Sequence, residues 1–368
     1  MASKLFTPLK VGHVQLSHRI AMAPLTRFRA EDDHVHSAMA KEYYEQRGSV
    51  AGSLIITEAT FISPKASGYP NVPGIWSKEQ VESWRRITQS VSTRGSHMYL
   101  QLWALGRVAN PKVKEAEGSG DVVSASAVPE KEGATVPREL SDDEIREYIQ
   151  DYAIAAKNAI EAGFAGVELH GANGYLIDQF LQDTSNKRTD QWGGSIEKRA
   201  RFAIEVTKAV VDAVGSKKVG IRLSPFSTFQ GMGMADPIPQ FTYLVSQLKK
   251  LQLSYVHFVD PRIDVRKGYE ATATLKPLVT AWGNTSPVLI AGGFTPEIAK
   301  NTVDEEYKDY DVVVVFGKYY ISNPDLVFRL QRGLPLADYN RSTFYAAKAR
   351  EGYVDCPFSE EFAREKKL

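Results

Sequence analysis

The chain has 368 residues, of which 43% are hydrophobic and 24% charged, which excludes a disordered or collagen-like polymer. Lys and Arg number 45 against 44 Asp and Glu, leaving a formal charge of +1 and no electrostatic footprint for nucleic acid or an anionic membrane. One cysteine, Cys356, can form neither an internal disulfide nor a cysteine metal cluster and suits a reducing compartment.

The start, MASKLFTPLK, has no apolar signal core, and no run approaches the ~18 apolar residues of a membrane span. Short β-branched runs then alternate with stretches of helical period. Strands are expected at Arg19–Ala23, Ser53–Glu58, His97–Leu102, Gly166–Leu169, Val219–Leu223, Ser254–Val259, Pro287–Ala291 and Asp311–Phe316. Several lack polar alternation, Val312–Val315 most clearly, as expected of strands covered on both faces. Ser141 with Glu144 forms a capping box ahead of a helix whose apolar residues recur every three or four positions, from Ile145 to Ile160, before Gly163 stops it. A second helix runs from Ser195 to about Val214 and ends at Gly215, and Thr295-Pro296 opens a shorter one.

Eight strand–helix alternations predict an α/β fold, a single (β/α)8 TIM barrel over residues 1–368, with two doubly wound domains as the alternative. The polar, proline-bearing stretch 103–140 after strand three is too long for an ordinary connection and is expected to be a lid-like insertion. Residues 333–368 form a C-terminal extension whose Phe344, Tyr345, Tyr353 and Phe358 are expected to pack back on the barrel. His34 and His36 fall in a charged stretch and are expected to be solvated. Lys366-Lys367-Leu368 loosely echoes a peroxisomal tripeptide, but its first residue is a long cation where a small residue is needed. The expected location is therefore cytoplasmic.

Working residues of such barrels cluster at the carboxyl ends of the strands. Those ends carry Pro24, Leu25 and Thr26, then Ala59, Gln101, His170 and Arg222, then Gly292-Gly293 and Gly317-Lys318. The loops after strands seven and eight are the usual phosphate cradle of the fold, and the two glycine turns there, one followed by a lysine, predict a phosphate ligand over a bare tight turn. His170 and Asn173 can aim two donors at one oxygen, and Tyr175 adds a phenolic proton, a set suited to developing enolate charge. No second His or carboxylate stands at ligand spacing, so no metal site is expected there. The chain has no GxGxxG after a first strand, Walker loop, G-x-S-x-G elbow or HExxH.

Six stretches then carry a resemblance: MAPLTRFRA (Met22–Ala30), LIITEATFISPKASGYPNVPGIW (Leu54–Trp76), LQLWALGR (Leu100–Arg107), GVELHGANGYLIDQFL (Gly166–Leu181), TDQWGGSIEKRARF (Thr189–Phe202) and FGKYYISNPDLVFRL (Phe316–Leu330). With them the chain resembles the Old Yellow Enzyme family of FMN-dependent ene-reductases, most of all its fungal branch. The resemblance implies FMN on the barrel mouth, with Pro24, Leu25, Thr26, Ala59 and Gln101 around the ring. It implies Arg222 at the pyrimidine edge, and Gly292, Gly293, Gly317 and Lys318 on the phosphate. His170 and Asn173 would bind a substrate carbonyl, Tyr175 would donate the proton, and Tyr345 would close over the substrate. Lys318 stands where many relatives have Arg, a point charge in place of a fork. Reduced nicotinamide, NADPH or NADH, would supply electrons to reduce an α,β-unsaturated carbonyl, in a monomer or homodimer. An FMN-dependent isomerase or reductase of fungal secondary metabolism is the near alternative, and a flavin-free sugar-phosphate isomerase or aldolase the distant one. Arg262, Arg266 and Lys267 are candidates for a 2′-phosphate contact.

Overall fold

Runs such as Val312–Val315 have no polar face, so they are stable only where both sides are covered, and a closed parallel sheet ringed by helices provides that. The structure, a computed structural model, describes residues 3–261 and 273–367; Arg262, Arg266 and Lys267 lie outside the described residues. The barrel strands are β1 (Ile20–Met22), β2 (Leu54–Ile56), β3 (His97–Trp103), β4 (Gly166–Gly171), β5 (Val219–Leu223), β6 (Tyr255–Val259), β7 (Val288–Ala291) and β8 (Val312–Phe316). All neighbours pair in parallel, and β8 closes on β1 through Val314↔Ile20, Val315↔Ala21 and Phe316↔Met22. All eight expected strands are present, several a residue or two shorter at their ends.

Strand parity divides the core. Ala21, Leu54, Ile56, Tyr99, Tyr255, Leu289, Ala291, Val313 and Val315 point into the barrel, and there they meet Leu9, Val11, Val14 and Leu16. Those four belong to a hairpin, Leu9–Val11 with Val14–Leu16, that plugs the amino-terminal end of the barrel and was not foreseen. Gly12 at its tip has φ +59, and a Cβ there would lie 2.2 Å from Lys217 O. The other parity packs against the helices, among them Asp142–Glu161 and Ile196–Val214. The expected caps form: Ser141 and Glu144 make the reciprocal box, Ser195 accepts from Lys198 N, and Thr295 accepts from Ile298 N. Each such cap contributes about 1 kcal/mol.

The insertion is ordered by short elements, a helix at Pro111–Glu117 and a parallel pair, Val123–Ser124 with Arg138–Glu139. The C-terminal extension is held by two buried arginines that follow β1. Arg29 donates to the carbonyls of Thr343, Phe344, Ala349 and Glu351, and Arg27 to those of Phe344 and Gly352. Tyr353 stacks on Tyr43 with ring centroids 4.1 Å apart. Tyr345 departs from the expectation that every aromatic of the tail packs inward, since it is 61% exposed. No described helix is long and apolar enough to cross a membrane.

The expectation for His34 and His36 is corrected, since both are buried. His36 Nε2 lies 3.2 Å from Glu58 Oε1 and its ring sits edge-on to Trp84 at 4.4 Å. His34 Nδ1 bonds Val72 O at 2.6 Å. Their acidic neighbours in sequence pointed to solvent, but the chain folds both rings inward against aromatic walls and a buried carboxylate.

Candidate active site

Register at the carboxyl ends of β4, β5 and β6 places His170, Arg222 and His257 in one row, through the pairs Arg222↔His170 and Arg222↔His257. One layer deeper, Gln101 pairs with Glu168 across β3 and β4. Arg222 is buried enough that desolvation lowers its pKa, the Glu168 charge opposing that shift, and its Nε has no partner among the described residues. His170 is held well below the ordinary histidine value by burial, then by the charge of Arg222, so its ring is neutral near pH 7. Its Nδ1 is buried without a partner among the described residues.

The segment after β4 turns through Asn173 and Gly174, both left-handed with φ of 58° and 77°. Asn is one of the few residues with a side chain that tolerate this region, which suits it to a corner that must also present an amide. Four contacts pin the corner. Asn173 N donates to Ser224 Oγ at 2.7 Å, Gly174 N donates to Asp178 Oδ2 at 2.9 Å, and Gln230 Nε2 and Gln179 Nε2 each donate at 2.8 Å to the carbonyls of Asn173 and Gly174. Asp178 is fully buried, and desolvation raises its carboxyl to about 6. The corner delivers Tyr175 edge-on to His170, with centroids 4.8 Å apart, and to Trp103 at 4.7 Å. Burial pushes the Tyr175 phenol well above its ordinary value, so the proton stays on the oxygen.

A cavity of about 630 Å³ opens at this end of the barrel and is lined by Pro24, Leu25, Arg222, Gly292, Gly293, Gly317, Lys318 and Tyr345, together with Arg341 and Phe344. Gly292 is required by space, because a Cβ there would lie 2.7 Å from Asp260 Cβ. Lys318 Nζ donates to the Tyr339 hydroxyl at 2.8 Å, which ties the C-terminal extension to the loop after β8. Thr26, Ala59, Gln101, His170, Asn173 and Tyr175 do not line this cavity. Ala59 packs with Phe61 and Trp103, while Arg222 joins the cavity to the His170 row. An unbroken chain of rings links the two parts, from Tyr345 through Phe28, Tyr69 and Trp103 to Tyr175. Among the described residues, no group of three His, Cys, Asp or Glu side chains could hold a metal ion.

Four residues that the sequence did not single out organise this site: Glu168, His257, Asp178 and Gln230. Parity held a clue to two of them, since Glu168 stands two before His170 and His257 two before Val259, each on an inward face. Arg107 is a fifth. Its guanidinium joins the insertion carbonyls of Val128 and Pro129 to those of Gln230 and Gly231.

A family model described as NADH:flavin oxidoreductase / NADH oxidase matches residues 4–337. The chain is 55% identical to a chanoclavine-I aldehyde reductase of Penicillium roqueforti, over 98% of each chain. It is 53% identical to an NADP-dependent oxidoreductase of Aspergillus flavus, again over 98% of each. An Old Yellow Enzyme from a Pichia species superposes with a TM-score of 0.90 at 39% identity, over 97% of this chain and 94% of that one.

Proposed function

Because the chain belongs to the NADH:flavin oxidoreductase / NADH oxidase family, in the fungal branch of its Old Yellow Enzymes, we propose that it reduces the activated C=C bond of α,β-unsaturated aldehydes and ketones. FMN is the cofactor and NADPH the electron donor. The single observation that carries the proposal is the row at the mouth, where His170 Nδ1 and Arg222 Nε are both buried, unpartnered and adjacent in register. Leaving such groups unsatisfied costs about 1–3 kcal/mol each, a cost a polar ligand removes.

The residues present fit FMN. A buried, unpartnered Arg222 Nε suits an electron-rich ring edge, and the turn at Gly292, where a Cβ would clash with Asp260, shares the cavity with Lys318, which suits a phosphate. Bound there, FMN would supply the hydride chemistry that links a reduced nicotinamide to the β-carbon of the substrate. Pro24 and Leu25 would floor the ring, with Thr26, Ala59 and Gln101 beside it. Gly292, Gly293, Gly317 and Lys318 would hold the phosphate. His170 and Asn173 donate to the carbonyl oxygen, drawing charge onto it as the β-carbon accepts hydride. Tyr175, kept protonated by burial, gives its proton to the α-carbon, and solvent restores it. Tyr345, exposed on the rim against Phe28, covers the substrate, and the insertion acts as a lid through the Arg107 clasp. The relative named for an aldehyde substrate points to an enal of fungal secondary metabolism as the substrate class. Membership of the flavin family sets aside the sugar-phosphate barrel.

The direct test is an absorption spectrum of the purified protein before and after anaerobic NADPH, then cyclohexenone. The expected result is a flavin spectrum that bleaches and recovers. A colourless protein that cannot be reconstituted with FMN would overturn the proposal. His170→Ala should lose about 100–1,000-fold in enone turnover, as removal of one oxyanion donor does elsewhere. Unchanged turnover would remove that role from His170.

A further inference from the structure

The barrel interior holds a carboxylate that the chemistry at the mouth does not itself consume. Glu168 is fully buried on β4, one layer below His170. Its Oε1 accepts from Gln101 Nε2 at 2.8 Å, and its Oε2 accepts from His257 Nδ1 at 2.7 Å and from the Tyr255 hydroxyl at 3.1 Å. An ionised carboxylate can only accept, and this decides two orientations. Gln101 must turn its NH2 toward Glu168, so its amide oxygen is the atom left for the barrel mouth. His257 must carry its proton on Nδ1. Burial keeps that ring below the ordinary histidine value despite the adjacent carboxylate, so its Nε2 is bare. Arg222, in register with His257 and His170, is then the cation of the row one layer above the acceptor that Gln101 presents.

We propose that Glu168 is a positioning residue that fixes Gln101 as a hydrogen-bond acceptor one layer below the Arg222 cation, so that the pair reads the imide edge of the flavin. That edge places one N–H between two carbonyls, so an acceptor meets the N–H while a cation meets a carbonyl. The inference rests on the flavin reading above and deepens it. A glutamine at 168 could itself donate or accept, and Gln101 would then be free to turn its NH2 toward the imide N–H, donor against donor.

The test compares FMN with 3-methyl-FMN, which lacks the imide N–H, each titrated by fluorescence into the flavin-stripped full-length chain. Wild type should bind FMN at least about tenfold more tightly than the methylated analogue, the worth of one good hydrogen bond. In Glu168→Gln that ratio should fall several-fold while FMN itself binds more weakly. The midpoint potential of the bound flavin should rise, because a buried negative charge near the ring is gone. An unchanged ratio and potential in folded Glu168→Gln overturns the positioning role and leaves the flavin reading intact. Wild type that binds no FMN overturns the flavin reading itself. Should Glu168→Gln fail to fold, Glu168→Asp draws the carboxylate back from Gln101 by one methylene, and the same fall in ratio is expected. A wild-type ratio in that variant would refute the role.

Discussion

Asp178 sits beneath the corner that presents Asn173 and Tyr175, and its burial makes a prediction about stability. Its carboxylate accepts from Gly174 N and from Gln182 Nε2, both at 2.9 Å, yet desolvation outweighs these bonds and raises its pKa from 3.8 to about 6. An acid whose folded pKa is raised takes up its proton more readily when folded. Its contribution to stability is therefore complete below the unfolded value and is lost as pH rises through about 6. A shift of about two units corresponds to about 3 kcal/mol in full, of which about 1.4 kcal/mol is regained between about pH 7.5 and about pH 5. Asp178→Asn cannot take up that proton. Urea unfolding of both proteins at the two pH values isolates the term, since other carboxylates titrate in both. Wild type should gain about 1.4 kcal/mol over the variant on acidification. Parallel pH profiles, or a gain by the variant, would refute the assignment of burial as the dominant cause.

Three further outcomes follow from single contacts. Gly231→Ala places a Cβ 2.3 Å from Glu130 O at φ +71, which should cost about 1–3 kcal/mol and loosen the insertion; unchanged tryptic cleavage at Lys131 would count against this. Arg29→Met strips buried carbonyls of the C-terminal extension of charged donors, for a loss of at least about 3 kcal/mol. Hydrogen exchange should accelerate across residues 343–354, and a protection pattern like wild type would be inconsistent with the docking role of Arg29. Lys318→Ala should weaken FMN binding about 10- to 100-fold by fluorescence titration, whereas Tyr339→Phe, which only frees Nζ from the tyrosine hydroxyl, should not weaken it.

The barrel was legible because its signals are local. Val312–Val315 cannot be half exposed, and Ser141 with Glu144 announces a helix start within four residues. The hairpin at residues 9–16 escaped because each strand is only three residues long, too short for periodicity to register. His34 and His36 misled for a related reason: neighbouring charges describe a segment's average exposure, and one ring can still turn inward. At the site, the glycines, His170, Asn173, Tyr175 and Arg222 stood out by motif and strand-end position, and Arg222 does join the cavity to the His170 row.

The amino-acid order by itself determined the period of each element, the caps that bound the helices, and the residue types placed at the strand ends. Only the closed barrel decided which of them touch. Gln101 and His257 stand 67 and 89 residues from Glu168, and no local pattern relates them, yet strand register brings both within 2.8 Å of one carboxylate. Burial then settles what composition leaves open: a neutral His170, a protonated Tyr175 and a carboxyl at Asp178 raised to about 6. These states come from exclusion of water, which belongs to the assembled fold and to no segment of the chain.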